Sequence, residues 1–345
     1  MKRKPHSTYL WSSSRIQGMR KKHSHNWTRW ALNSLLVFGF LISLPGVSSG
    51  GPLFVKNNSP AYLWILSPSF EQFDFYNGRK WNVLVLSQYS SMYAISEFDQ
   101  PGLERPVALD METFSVFGRF ERRLNAFSSV YVEVPVIYNW KGAFDSIIEK
   151  YHDIIGVNNG GRQFRPDNEF AFQFGEIDLS GPEAGIGDIK LGFNIFKVRD
   201  ISRFRFAFSV FAKLPTGSAR KGLGSGSFDV GAQVAFSHVF DKFQLDYGLG
   251  FMNLGTPDSR LNTALGSMGF GYVAVTTNIY RDIRAVAQLY LSSSPYDTGY
   301  KRLDDYQAML TIGAIWHDWQ FSFSEDVFTY TAADITVSVA RKFRF

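Results

Sequence analysis

The 345-residue sequence predicts an all-β fold: a transmembrane antiparallel β-barrel of about 14 strands, with about 12 the next count, and one short amphipathic helix. Three observations predict it. At the C-terminus Ile335, Val337, Val339, Phe343 and Phe345 alternate with Thr336, Ser338, Ala340, Lys342 and Arg344, and only Arg341 breaks the apolar row. A strand points successive side chains to opposite faces, so this segment has one greasy and one polar side. The alternation recurs through the second half of the chain in segments of roughly ten residues, the pattern of outer-membrane barrels. The connections between these segments alternate in length, as short periplasmic turns and long outer loops do.

Residues 1–49 read as a basic leader and signal peptide. Eight basic residues and no acidic one fall in residues 1–50, and an apolar stretch runs from Ala31 to Leu44. That stretch is shorter than the ~20 residues of a membrane span, and Val47-Ser48-Ser49 fits a small-residue cleavage site ahead of Gly50. A start at Met19 gives a signal of ordinary proportions. Without the leader 28 basic residues face 31 acidic ones. The high pI therefore belongs to the leader, and nucleic acid is not an expected partner. Residues 50–345 are then the barrel.

In its first half the pattern is less regular, with strands expected near Tyr62–Phe70, Lys80–Tyr89, Asp110–Glu121, Phe127–Tyr138 and Asn168–Leu179. Between the last two, Phe144, Ile147, Ile148, Tyr151, Ile154 and Ile155 recur at helical spacing and Asn158-Asn159-Gly160-Gly161 stops the run. This is the helix over 141–155. It fits either a helix packed on the barrel rim or a lumen plug, for which Phe144, Ile148, Tyr151 and Ile155 are the candidate residues. Nine more strands follow from Gly187 to the end. The clearest, Arg203–Leu214, sets Phe204, Phe206, Phe208, Val210 and Leu214 against Arg205, Ala207, Ser209 and Lys213. On a count of 14, segments 91–108 and 139–167 fall on the periplasmic side, an unusual place for long connections. Phe343 and Phe345 on the final strand form the expected signal to the outer-membrane assembly machinery.

Little catalytic chemistry is visible. With no cysteine the chain has neither disulfides nor thiolate sites, and His152, His238 and His317 have no metal-ligand spacing. Gly222 to Gly226 is glycine-rich without the strand-to-helix setting of a phosphate loop. No cofactor is expected. Function falls to the lumen face, where the pattern places Arg119, Glu121, Glu133, Asp188, Lys190, Arg203, Arg205, Lys213, Asp229, Asp246 and Arg284.

Several short stretches carry a resemblance. Gly51-Pro52-Leu53 followed by Asn57 to Pro60, Tyr151-His152-Asp153 followed by Gly161-Arg162, Gly185-Ile186-Gly187-Asp188-Ile189, and Lys213-Leu214-Pro215-Thr216-Gly217 followed by Gly224-Ser225-Gly226 are similar to a domain-of-unknown-function family of Gram-negative outer-membrane barrels. The last two stretches also resemble the outer-membrane barrel family named for a phenol-degradation pathway. The resemblance implies a barrel over nearly all of the mature chain and, through the second family, uptake of hydrophobic solutes. It implies no catalytic residues. The expectation is a channel or uptake barrel for small solutes, hydrophobic ones by the second resemblance, in the outer membrane of a Gram-negative cell, in contact with its lipid. Two readings stay open beside it: a structural or surface-interaction barrel with a filled lumen, and a membrane hydrolase.

Overall fold

A computed structural model describes residues 51–68, 70, 80–103, 106–155, 161–162, 165–198, 203–327, 329 and 331–345. The leader and signal peptide, and most of the Val198–Ser202 turn, lie outside the described residues.

The alternation read from the sequence builds the wall. Its strands are β1 (Trp81–Ile95), β2 (Ala108–Arg123) and β3 (Ser128–Trp140), and then β7 (Ile189–Val198), β8 (Phe204–Leu214), β9 (Asp229–Val239), β10 (Gln244–Asn253), β11 (Met268–Tyr280), β12 (Ile283–Ser292), β13 (Gln307–Trp316), β14 (Trp319–Asp326) and β15 (Ile335–Arg344). Each pairs antiparallel with its neighbour, and β1 closes on β15, so twelve strands make a ring without edges. Closure removes the unpaired backbone groups that lipid cannot satisfy. At the seam the Phe345 N–H donates to the Trp81 carbonyl at 3.0 Å, and the Trp81 N–H to that of Phe345 at 3.3 Å.

Twelve, not 14, is the wall count. Tyr62–Phe70 is not a wall strand. Pro60 occupies the first turn of a short helix, α1 (Pro60–Leu63), where its missing N–H costs nothing, and the apolar run after it does not alternate. Asn168–Leu179 yields only the short hairpin β4 (Ala171–Phe174) and β5 (Ile177–Leu179), which extends from the end of β2. A third extra strand, β6 (Glu183–Ile186), continues the pairing of β3 above β7. With both expected strands removed from the wall, segments 91–108 and 139–167 move to the same end as every other long loop. The barrel therefore has a loop end and a turn end.

Each face follows its composition. Along β8, Ala207, Ser209, Phe211 and Lys213 are buried toward the lumen while Phe204 and Val210 are exposed. Exposed aromatics ring the turn end: Trp81, Phe127, Phe204, Phe240, Tyr280, Trp316 and Phe345. Arg341, the break in the apolar row, belongs to this ring, with its guanidinium 4.7 Å from the Trp319 and Phe343 ring centres. Such a girdle is what a membrane interface demands. No described helix is long and apolar enough to cross a membrane.

Candidate functional site

A twelve-stranded barrel is wider than the ~8 strands whose interior side chains alone can fill. Here the chain itself fills it. Residues 51–70 run through the lumen with Leu53, Phe54, Val55, Trp64 and Leu66 almost wholly buried. The segment meets the wall on β12 and β14, where the Leu53 N–H donates to Gln288 Oε1 at 2.9 Å and the Phe54 N–H to Gln320 Oε1 at 3.0 Å. It rises past β1 and β2, where Gln88 Nε2 donates to the Lys56 carbonyl and Asn58 Nδ2 to Ser90 Oγ. After α1 it turns at the loop end and returns, so that Phe70 packs edge-on against Tyr272 and Tyr290. The top is roofed by β4 and the loop after β12. Trp64 packs on Phe172 and Phe174, and Phe174 on Tyr296.

The wall presents a row of charge to this plug. Arg119, Glu133, Lys190, Lys213 and Asp229 are direct cross-strand partners on five adjacent strands, β2, β3, β7, β8 and β9. All five are buried. Three hold the plug: Glu133 pairs with Lys56 Nζ at 2.7 Å, Lys190 Nζ donates to the Ser67 carbonyl at 2.7 Å, and Asp229 accepts the Leu66 N–H at 3.0 Å. Arg119 lies over the Tyr131 ring at 3.8 Å and pairs with Glu121 at 3.2 Å. Charges this deep are tolerable only when paired.

At the loop end the row becomes a knot. Lys213 Nζ reaches Asp188 at 2.6 Å, Asp229 at 3.3 Å and Ser225 Oγ at 2.8 Å. Asp188 also accepts the Gly217 and Ser225 N–H groups. Burial pushes the Asp188 carboxyl above its ordinary range against the pull of the Lys213 ammonium. A Cβ on Gly217 would sit 2.3 Å from the Leu223 carbonyl oxygen, so only glycine lets this loop close on the carboxylate. The two stretches Gly185–Ile189 and Lys213–Gly217 thus meet Gly224–Gly226 in one place.

Of the residues expected on the lumen face, Arg119, Glu121, Glu133, Asp188, Lys190, Lys213, Asp229 and Asp246 are buried there. Arg205 and Arg284 share that face but lie half-exposed at the turn end. Arg203 does not line the lumen: it sits exposed beyond the strand, paired with Asp241 at 2.8 Å. His152, His238 and His317 are not brought together. His152 belongs to the loop-end helix described next, His238 packs on Phe204 near the turn end, and His317 lies in the β13–β14 turn.

The helix expected as a plug candidate, α2 (Asp145–Ile155), lies on the outer wall and not in the lumen. Phe144 packs on Tyr89 and Tyr151 on Phe323, and both partners face outward. Tyr151 donates to Glu325 at 3.0 Å. Ile148 is buried on the sheet side; the Ile155 side chain lies outside the described residues. Glu112, on the outward face of β2, accepts the Ala143 and Phe144 N–H groups at the start of the helix. Arg162 binds Asp145, Asp334 at 2.8 Å and Ser91 at 3.0 Å. Burial opposes its charge, yet Asp334 and Asp145 hold its pKa above the usual value. The plug residues Lys56, Asn58 and Trp64, and their wall partners Gln288 and Gln320, escaped the sequence reading. The available signal was Pro68 inside the expected strand Tyr62–Phe70, with Pro60 just ahead of it.

The family model described as "Protein of unknown function (DUF3187)" matches residues 43–345. Among solved structures, the COG4313 outer membrane channel from Pseudomonas putida F1 aligns with 77% of this chain and 96% of its own, at 12% identity and a TM-score of 0.51. That likeness is one of fold. The Salmonella typhi OmpF complex with daunomycin aligns over the same shares at 8% identity and a TM-score of 0.30, too low to bear on the fold. No curated protein matches.

Proposed function

The chain belongs to the DUF3187 family, and from that premise we propose that it is an outer-membrane channel of a Gram-negative cell that passes small, mainly apolar solutes and is gated by residues 51–70. The observation that carries the reading is the lumen itself. A wall wide enough to conduct is closed by a segment of the same chain, and that segment is held by neutral hydrogen bonds with Gln88, Ser90, Gln288 and Gln320 beside the charged contacts of Glu133, Lys190 and Asp229. Each neutral bond contributes only about 1 kcal/mol net, and none of these contacts belongs to the wall ladders, so the plug can leave without dismantling the wall. The solute class follows from the surroundings of the plug. Tyr62, Ile65, Leu66, Phe70, Met268, Tyr290 and Met309, with the polar Lys56, Asn57, Ser67 and Gln307, line a cavity of about 20 Å³, room for roughly one water molecule. Aromatic and thioether walls with a few polar groups among them suit a mainly apolar guest with a polar end.

The tightness of that cavity favours a second reading, a structural barrel whose interior stays filled. One experiment separates the two. The chain has no cysteine, so Asn58→Cys with Ser90→Cys, whose side chains meet at 2.8 Å, gives a clean lock. In planar bilayers the reduced protein is expected to show intermittent current that a small aromatic alcohol blocks and arabinose does not. Oxidation is expected to abolish the current. Silence in both states supports the filled barrel, and equal current in both states places the path away from the plug.

A further inference from the structure

Helix α2 is usually the kind of element assigned to an extracellular loop. Its position says otherwise. Glu112, Ser91, Ile335 and Glu325 form one outward-facing row across β2, β1, β15 and β14. The helix begins on Glu112 and reaches Glu325 through Tyr151. Its eleven residues span ~16 Å at 1.5 Å each, and three strand spacings make ~14 Å, so the helix lies flat along this row across the closing seam. Glu325 is six residues above Trp319, and Ser91 ten above Trp81. At ~3.3 Å per residue and a tilt near 40°, these stand roughly 15 and 25 Å above the turn-end girdle. The apolar band of such a barrel is ~25 Å tall.

The side chains agree with that depth. Asp145 and His152 turn toward the barrel and are buried, as are Glu112, Ser91 and Glu325 on the wall beneath them, while Ser146 and Asp153 stay exposed at the edges of the helix. The face turned away carries Phe144, Ile147 and Ile154, which is 84% exposed. Lys150 shares that face, with a stem long enough to snorkel. Around it the outward Phe114 and Tyr138 are exposed in the same way, so the patch continues the lipid-facing wall. Gly142, at φ +81°, lets the chain drop onto the wall; a Cβ there would lie 2.2 Å from Glu112 Cδ.

We propose that α2 is a membrane-embedded lid, with its Phe144–Ile147–Ile154 face in the acyl chains of the outer leaflet and its Ile154 end the deeper. The occupant is lipid, and the proposal rests on the outer-membrane reading above. The test uses single cysteines in the cysteine-free chain, each carrying a bimane label, in vesicles of lipids brominated at defined acyl positions. Leu249→Cys, on the exposed face of β10, reports whether the barrel itself is inserted. Ile154→Cys is expected to be quenched by bromine well below the headgroups, Ile147→Cys by shallower bromine, and neither by aqueous iodide. Quenching at position 249 with iodide access at 147 and 154 overturns the lid while leaving the barrel in the membrane. Loss of quenching at 249 overturns the membrane reading itself. Disulfide dimers through position 154 that shut out the brominated lipid overturn the lipid assignment in favour of a second copy of the chain.

Discussion

Residues 51–68 and the segment 141–155 with Arg162 press against opposite faces of one wall, and they are held by different chemistry. Inside, the plug offers mostly its backbone: Leu53, Phe54 and Leu66 donate N–H groups, and Lys56 and Ser67 accept on their carbonyls. One ion pair, Lys56 to Glu133, adds to these. Outside, the lid is bound by charged side chains, with Arg162 between Asp145 and Asp334 and Glu112 on the first N–H groups of the helix. Neutral hydrogen bonds exchange with water at small net cost, whereas a buried charge stripped of its partner is left with most of its desolvation penalty. The inner contact mixes the two, since the Leu66 N–H and the Ser67 carbonyl meet the charged Asp229 and Lys190, whereas the outer one rests mainly on charge.

The largest expected effect comes from attacking the outer side. Arg162→Leu leaves Asp145 and Asp334 without their shared cation. Breaking one side of a buried pair costs about 3–5 kcal/mol, so denaturant titration of the folded barrel in lipid should show a loss of that size. A change below about 1 kcal/mol would show that water reaches this cluster, and the contrast between lid and plug would fail.

An intermediate effect is expected from the ion pair that joins plug and wall, Lys56 to Glu133. Lys56→Met deprives Glu133 of its plug partner, but Glu133 keeps Arg119 and Lys190 as cross-strand neighbours. The loss should be about 2 kcal/mol, below the full cost of an isolated buried charge, and it should be accompanied by more frequent opening in bilayer recordings. A loss matching that of Arg162→Leu would mean that plug and lid are equally fixed.

The wall was legible because period-2 patterning is a local property. Phe204 to Leu214 assign themselves to two faces without reference to any other segment, and nine strands from Gly187 onward follow that rule. What was not legible depends on which side of the wall a non-strand segment takes. Amphipathic spacing in 145–155 reports that one face is covered; it does not report whether lumen or lipid lies beyond. The run Ala61–Leu66 is apolar because it is buried on every side, and a continuous apolar run cannot be told from a buried strand by periodicity. The charged row was half visible. Arg119, Glu133, Lys190, Lys213 and Asp229 could be placed on the lumen face one by one, but their alignment depends on register between strands distant in sequence. The stretches around Asp188 and Lys213 could be seen as motifs, and only the fold shows that they close on one carboxylate.

The smallest expected effect on stability tests the inner contact most directly. Gln288→Leu and Gln320→Leu each remove the acceptor for one plug N–H, that of Leu53 or Phe54. Global stability should fall by only about 1 kcal/mol per substitution, the net worth of a neutral hydrogen bond, because the wall ladders do not depend on either amide. The plug equilibrium feels the same loss in full. About 1.4 kcal/mol is a tenfold change in an equilibrium constant, so each variant should raise the open fraction in single-channel recordings roughly five- to tenfold. The double variant should multiply the two effects, since the two amides bind different N–H groups. Openings that stay unchanged while stability falls would mean that these bonds hold the wall and not the gate. An increase that disappears in the oxidised Asn58→Cys, Ser90→Cys background would tie the opening to movement of residues 51–70 and to nothing on the outer side.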